Sequence, residues 1–261
     1  MEEIARIMAN APEDLTLLSS NEHQKAKADA INTAPGTLGW IDCPICHNKG
    51  YVAEMRDGRI VCVECECQLR RTNIRLIAQS GLESVLSRYT FKEYKDTTPW
   101  QKQVKKRAES FTEASAGWFY ISGTPGSGKT HICSAICGEM LKKNISVRYF
   151  RWRADAPALK ASVNDRTAYS ELIRPFLKTR CLYIDDFFKG SITDADKNLA
   201  FELLDARYSD PRLITIISSE LSVDAIIDID EALGSRIYER ARGYTLNISG
   251  SDKNYRLRKG E

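Results

Sequence analysis

A glycine-rich segment, GTPGSGKT at 123–130, follows the apolar run WFYI at 118–121 and leads into a helical pattern. The spacing G-x4-G-K-T between a strand and a helix is that of a phosphate-binding loop. Glycines let backbone N–H groups approach a polyphosphate closely, and the helix N-terminus adds the positive end of its dipole. The candidate nucleotide-binding residues are Gly123, Thr124, Pro125, Gly126, Ser127, Gly128, Lys129, Thr130 and His131.

Two consecutive carboxylates end another apolar run, in the string CLYIDDFFKG at 181–190. Proteins with a phosphate-binding loop hold Mg²⁺ between the loop hydroxyl and a carboxylate on a neighbouring strand. We therefore assign Thr130 and Asp185 to Mg²⁺, and Lys129 to the β- and γ-phosphates of ATP. Asp186 is the candidate catalytic carboxylate that polarises the attacking water.

Short apolar runs rich in β-branched and aromatic residues alternate with helical patterns. The runs lie at 118–121, 147–150, 181–184 and 213–217, and helices are predicted at 130–143 and 196–207. Uninterrupted apolar runs are typical of strands buried on both faces, and the alternation is that of βαβ units. The sequence thus predicts an α/β fold, a parallel sheet flanked by helices.

The composition is that of a folded globular chain, with 43% hydrophobic and 28% charged residues. It excludes wholesale disorder and collagen-like repeats. The longest uncharged run, 114–128, is fifteen residues long and contains glycines and a proline, so we expect no membrane span. The first fifteen residues are acidic and lack the order of a signal peptide, so we expect a cytoplasmic protein with reduced cysteines.

Five cysteines fall in one stretch, as Cys43-x2-Cys46 and Cys62-x2-Cys65-x-Cys67. Tetrahedral zinc needs four, so one is surplus. Spacing alone favours pairing Cys62 with Cys65, because the fifteen residues between Cys46 and Cys62 suit a zinc ribbon. Two glycine turns, at 49–50 and 57–58, flank short β-type segments. The stretch therefore predicts a hairpin held by structural Zn²⁺, a small N-terminal zinc-binding domain.

Together these motifs resemble the DnaC/DnaI family of replicative helicase loaders, in the form found in Gram-positive bacteria and their phages. The strings that carry the resemblance are CPICHNKGY, CECQLRR, GTPGSGKT, LYIDDFFKG, FELLDARY, TIISSEL, GSRIYER and NYRL. The resemblance implies an AAA+ ATPase domain. It also implies that the N-terminal part binds a hexameric replicative helicase and that the protein helps to place this helicase on single-stranded DNA.

The resemblance also selects individual residues. The zinc pattern of the family, C-x2-C followed by C-x-C, implies Cys43, Cys46, Cys65 and Cys67 as ligands and leaves Cys62 as the spare. The string SRI implies that Arg236 is an arginine finger, a catalytic residue that completes the ATP site of a neighbouring subunit and so requires self-association.

Three further expectations concern the ATPase domain. Arg256, in NYR, matches a position that senses nucleotide. Glu220, or one of the serines Ser218 and Ser219 before it, stands where AAA+ enzymes usually have Asn, which implies slow hydrolysis or an ATP-binding switch. We expect basic and aromatic groups such as Phe188 and Lys189 to contact single-stranded DNA.

These assignments divide the chain into four parts. Residues 1–38 form a helical partner-binding segment, 39–68 the zinc-binding domain, 69–92 a basic helical linker and 93–261 the AAA+ domain. Three alternative functions stay open: an IstB-like transposition ATPase, a nucleotide-regulated DNA-binding adaptor without significant hydrolysis, and a metabolic P-loop kinase. DNA-stimulated ATP turnover and zinc content distinguish them from a loader.

Overall fold

The computed structural model describes residues 20–39 and 41–255, and the chain divides into two compact units between Arg75 and Leu76. The predicted helices before residue 20 and the predicted nucleotide sensor Arg256 lie outside the described residues. The first elements along the chain are α1 (Ser20–Thr33), β1 (Tyr51–Arg56), β2 (Arg59–Glu64) and α2 (Cys67–Ser80).

The first unit is built on the predicted hairpin. Strands β1 and β2 pair antiparallel, and the turn Asp57-Gly58 has positive φ at both residues, 51° and 71°. This is the backbone of a two-residue hairpin turn whose twist matches that of the strands. Helix α1 is tied to the hairpin by the side-chain amide of Asn32, which donates to the carbonyl of Ala53 at 2.9 Å and accepts from its N–H at 2.7 Å.

The second unit contains a five-stranded, fully parallel sheet in the order β4-β5-β6-β3-β7. Its elements are α3 (Glu83–Leu86), α4 (Pro99–Ala114), β3 (Trp118–Gly123), α5 (Lys129–Lys142), β4 (Val147–Arg151), α6 (Trp152–Ala161), α7 (Arg166–Lys178), β5 (Cys181–Phe187), α8 (Asp194–Tyr208), β6 (Ile214–Ser219), α9 (Val223–Ile229), α10 (Glu231–Arg240), β7 (Thr245–Ile248) and a 3-10 turn (Ser251–Lys253). The predicted fold class is confirmed.

Two apolar clusters cover the two faces of this sheet, and the inner strands are buried on both. Trp118 and Tyr120 face one cluster, whereas Phe119 and Ile121 face the other. All four strands predicted from apolar runs are present. The fifth, β7, was missed because it is a four-residue edge strand with one buried side chain, too short to show a clear pattern. Over 20–39 and 41–255, no helix has the length and apolar content needed to cross a bilayer.

Parallel strands bring the loops at their carboxyl ends to one edge of the sheet. The glycine-rich loop follows β3, the two aspartates end β5, and Ser218 and Ser219 end β6. At this edge β7 passes so close to the start of the loop that a Cβ on Gly123 would lie 2.0 Å from the carbonyl oxygen of Ile248. Glycine is therefore required there by the approach of the neighbouring strand.

Candidate nucleotide site and cysteine cluster

The glycine-rich loop turns into helix α5 at Lys129, after Gly128 in the left-handed conformation. The Lys129 ammonium donates to the carbonyls of Gly123 at 2.8 Å and Thr124 at 3.0 Å, so its side chain folds back over the loop. Burial lowers the pKa of Lys129, although the nearby carboxylates act in the opposite direction. The hydroxyl of Ser127 is buried and has no hydrogen-bond partner among the described residues. A loop with an orphaned buried donor and a folded lysine fits a phosphate ligand.

The predicted metal-binding pair is brought together. The hydroxyl of Thr130 donates to the Asp185 carboxylate at 3.2 Å. Three further hydroxyls bind the same carboxylate: Tyr183 at 2.6 Å, Tyr149 at 2.7 Å and Ser218 at 2.5 Å. Burial raises the pKa of Tyr183 and of Tyr149, which keeps both phenols protonated as donors. Asp185 is thus held in place as an acceptor beside the loop.

Sequence reasoning missed these three supporting hydroxyls. Tyr183 lies two residues before Asp185 on β5 and hence on the same face, and Tyr149 is its partner on β4 in the parallel register. The two rings stack with centroids 5.1 Å apart. Alternation along β5 would have identified Tyr183, but Tyr149 depends on strand order, which the sequence did not specify.

Asp186, unlike Asp185, lines a cavity of about 240 Å³ in front of the loop, here called the phosphate cavity. Its φ of 54° is unusual for a residue with a side chain, and its N–H donates to the Ser218 hydroxyl at 3.2 Å. Residues that line the cavity are Tyr89, Pro125, Gly126, Gly128, Lys129, Thr130, His131, Asp186, Lys189 and Glu220. The loop, the predicted water-polarising carboxylate and Glu220 therefore face one space.

A second cavity, of about 250 Å³, lies on the other side of His131 and is lined in part by Tyr94 and Tyr255. The His131 ring stacks on Tyr89 at 5.0 Å, meets Tyr94 edge-on at 5.3 Å and forms a 2.9 Å hydrogen bond with the Thr90 carbonyl. These aromatic residues from the 89–94 segment were not predicted as site residues. They provide an apolar surface beside the loop that suits the base of a nucleotide.

Four cysteine sulfurs converge in the first unit. The Sγ atoms of Cys43, Cys46, Cys65 and Cys67 lie within 4.8 Å of one another, with 3.7 Å from Cys43 to Cys65 and 3.5 Å from Cys46 to Cys67. Tetrahedral zinc with Zn–S bonds of ~2.3 Å separates its sulfurs by ~3.8 Å, so this group fits the ion. Cys62 is exposed. Cys62 lies on β2, whereas Cys65 follows the end of this strand and is buried with the other three sulfurs.

The structure thus gathers the four cysteines implied by the resemblance, and not the set that spacing favoured. Burial raises the pKa of Cys65 to about 12. Burial also raises the pKa of Cys46. Hydrogen bonds to its sulfur, from the Gly50 N–H at 3.2 Å and from the neighbouring thiols, outweigh this effect and lower the pKa to about 6. The protein itself therefore stabilises the thiolate of Cys46, whereas the raised pKa values of Cys65 and Cys67 mean that a cation is needed to ionise these two thiols.

Arg71, which falls in the predicted basic linker at 69–92, supports the cysteine cluster. Its side chain is 6% exposed and donates to the carbonyls of Leu38 and Ile41, both at 2.8 Å, and to the Asn48 side-chain oxygen at 2.8 Å. The same oxygen accepts from the N–H of Cys43 at 2.8 Å. Arg71 therefore braces the loop that presents the first two sulfurs.

The family model described as IstB-like ATP binding protein matches residues 64–261. This chain belongs to that family. It is 32% identical to the uncharacterized protein YqaM of Bacillus subtilis over 211 residues, 74% of this chain and 66% of YqaM, just under two thirds of that relative. It is 25% identical to the replicative helicase loader DnaC of Escherichia coli, over 70% of this chain and 76% of DnaC.

The crystal structure of the DnaC helicase loader superposes with a TM-score of 0.54 at 22% identity, and covers 62% of this chain and 98% of that one. The expected AAA+ fold is confirmed. The IstB-like domain begins within the hairpin, so the match leaves out Cys43 and Cys46.

Arg236 lies on α10 of the IstB-like domain and does not line the phosphate cavity. Its guanidinium pairs with the Asp205 carboxylate at 2.9 Å and stands over the Phe201 ring at 4.8 Å. About a quarter of its side chain is exposed. Its implied role toward a neighbouring subunit stays a prediction.

The expectation that Phe188 stacks on DNA bases is wrong. Phe188 is 2% exposed, stacks on Phe187 with centroids 4.2 Å apart and meets the Trp152 ring edge-on. Phe187 and Phe188 both lie in the apolar cluster on one face of the sheet. Burying these two aromatic side chains is more favourable than exposing them to water. Lys189 faces the phosphate cavity, where it is ion-paired.

Proposed function

We propose that this chain is an ATP-dependent loader that places a hexameric replicative helicase on single-stranded DNA in the cytoplasm. The observation that carries the proposal is the 3.2 Å contact between Thr130 and Asp185 beside the folded Lys129. Such an arrangement is suited to a nucleoside triphosphate with Mg²⁺. The name of the DnaC relative supports the helicase as partner, and residues 1–68 are our candidate for gripping it.

In this proposal the residues of the site have separate tasks. Lys129 turns from the loop carbonyls to the β- and γ-phosphates, while Thr130 and Asp185 hold Mg²⁺, which neutralises charge on the phosphates. Asp186 accepts a hydrogen bond from the attacking water and orients it. Tyr149 and Tyr183 keep the Asp185 carboxylate in position, since a carboxylate that can rotate would bind the metal less well.

The main test measures transfer of the cognate helicase to a closed circular single strand in the presence of ATP. Lys129→Ala should reduce transfer to the unaided level. Lys142→Ala is the matched control, because Lys142 lies in the last turn of the same helix, is 70% exposed and pairs with Glu139. The loader function is rejected if the wild-type chain gives no transfer above background and native mass spectrometry detects no complex with the helicase.

The role of Arg236 requires a separate experiment. A Lys129→Ala chain lacks a working nucleotide site but retains Arg236. An Arg236→Ala chain retains the nucleotide site but lacks the arginine. If Arg236 acts in the site of a neighbouring subunit, the two inactive variants should regain part of the ATP turnover when mixed. Mixtures that stay inactive, from variants that still associate, would show that the arginine has another role.

The family match also favours a second candidate, an IstB-like transposition ATPase. Both candidates bind ATP, so the partner decides between them. A transposition ATPase would bind its transposase and leave helicase transfer unchanged. A loader would lose helicase binding when the four cysteines are disrupted, because the first unit would no longer present its surface.

A further inference from the structure

Two lysines line the phosphate cavity, and only one belongs to the glycine-rich loop. The second, Lys189, places its ammonium 3.1 Å from the Asp186 carboxylate and 2.9 Å from the Glu220 carboxylate. It therefore bridges the carboxylate proposed to orient water and the carboxylate that follows β6, both of which line this cavity. No assigned function accounts for this bridge.

The backbone of Lys189 is held firmly. Its N–H donates to the Asp186 carbonyl at 3.0 Å, which closes a turn after β5. The preceding residue, Phe188, has a φ of 56° and is buried against Trp152 and Phe187. A bulky residue keeps such a backbone only where packing requires it. The ammonium of Lys189 can therefore change position only by rotation about the bonds of its side chain.

The two ion pairs are suited to exchange. The side chains of Lys189, Asp186 and Glu220 are 30%, 39% and 34% exposed, so solvent weakens each pair. Partial burial lowers the pKa of Lys189, but the hydrogen bonds to Glu220 and Asp186 outweigh it and raise the pKa, so the ammonium stays charged. An ammonium has three donors and no fixed plane, and it can keep one carboxylate while it exchanges the other for a phosphate oxygen.

We propose that Lys189 is a second phosphate-contacting residue, which leaves Asp186 for the terminal phosphate of a bound nucleoside triphosphate and stays paired with Glu220. The inference rests on the proposed binding of ATP. It has two consequences. The site favours a triphosphate over a diphosphate, because only the triphosphate reaches the ammonium. The Asp186 carboxylate is released for water only when the triphosphate is present, because Lys189 otherwise pairs with it.

The test compares the affinities of the purified chain for ATP and ADP with Mg²⁺, by fluorescence or calorimetry. Lys189→Met should weaken ATP binding ~10-fold or more, the effect of losing a charge-assisted hydrogen bond, and leave ADP binding nearly unchanged. Lys189→Arg should retain the preference for ATP. Lys197→Met is the control, since Lys197 is 37% exposed and pairs with Asp194 outside the cavity lining.

Glu220→Gln completes the test. With one carboxylate removed, Lys189 is freer to meet the phosphate, so ATP affinity should equal or exceed that of the wild type. The proposal is overturned if Lys189→Met weakens ATP and ADP equally, or if Glu220→Gln weakens ATP as much as Lys189→Met does, because the pair would then only shape the cavity. A wild-type chain that binds neither nucleotide would instead reject the proposed function.

Discussion

Each of the two units of this protein is stabilised internally in a different way. The first has little apolar burial: its sulfur cluster packs with Ile41 and Val52, and a second small cluster is centred on Ala28, Ile31 and Ala53. The second unit has two extensive apolar clusters on the faces of a parallel sheet. A small unit without a large core needs a cross-link or a metal. The first unit therefore depends on its cysteine cluster, whereas nucleotide binding resides in a second unit that has an apolar core of its own.

The largest effect that we predict comes from removing the zinc ion that Cys43, Cys46, Cys65 and Cys67 are expected to hold. Structural zinc contributes ~10–16 kcal/mol in small domains, so a strong chelator or Cys46→Ala should unfold the first unit. ATP binding by the second unit should persist. Zinc stoichiometry, amide exchange and nucleotide affinity measure the three effects. Cys62→Ala is the control and should retain the metal; if it loses zinc as Cys46→Ala does, the assignment of the four ligands is wrong.

A substitution in the apolar core of the second unit should destabilise that unit alone. Leu203 is fully buried under the sheet, and Leu203→Ala should destabilise this unit by about 2–5 kcal/mol through lost burial and a cavity. Zinc content should not change. Leu172→Ala, at a side chain that is 45% exposed, should cost less than about 0.5 kcal/mol. Chemical denaturation followed by tryptophan fluorescence tests this, and coupled loss of zinc would contradict the separation of the two units.

The smallest predicted effect concerns acid stability. Although burial opposes it, the pKa of Asp196 is lowered by Lys160, at 2.7 Å, and by the Thr193 hydroxyl and N–H at the start of α8. A lowered folded-state pKa stabilises the protein above the ordinary pKa of the carboxyl group, and this stability is lost as the pH falls through the folded-state value.

Asp196→Asn should therefore cost about 1 kcal/mol at neutral pH and flatten the acid side of the stability curve of the second unit. Asp194→Asn is the matched control, since Asp194 lies two residues earlier and its side chain is 95% exposed. Thermal melting between pH 3 and 7 measures both. An Asp196→Asn curve parallel to that of the wild type would show that this carboxylate does not contribute.

Much of the nucleotide site could be read from the chain because its parts are local. The loop needs its glycines and Lys129 at fixed spacing, and Asp185 ends an apolar strand. Because proteins with such a loop place a strand carboxylate beside the loop hydroxyl, these two local patterns were enough to predict the contact between Thr130 and Asp185. Tyr149 could not be found in this way, because it reaches Asp185 only through the pairing of β4 with β5. The burial of Phe188 could not be predicted, because it depends on Trp152, which packs against this turn from another segment of the chain.

The class of the fold, the phosphate loop, the paired aspartates and the cysteine stretch as a candidate metal site could be inferred from the chain alone, because each is encoded by spacing along one segment. Tertiary structure decided which four cysteines converge, that Arg71 braces them, and that Lys189 meets Glu220 in front of the loop. The physical reason is distance in the chain. Contacts between separate segments depend on strand order, on the face to which each side chain points and on burial, and none of these is set by local spacing.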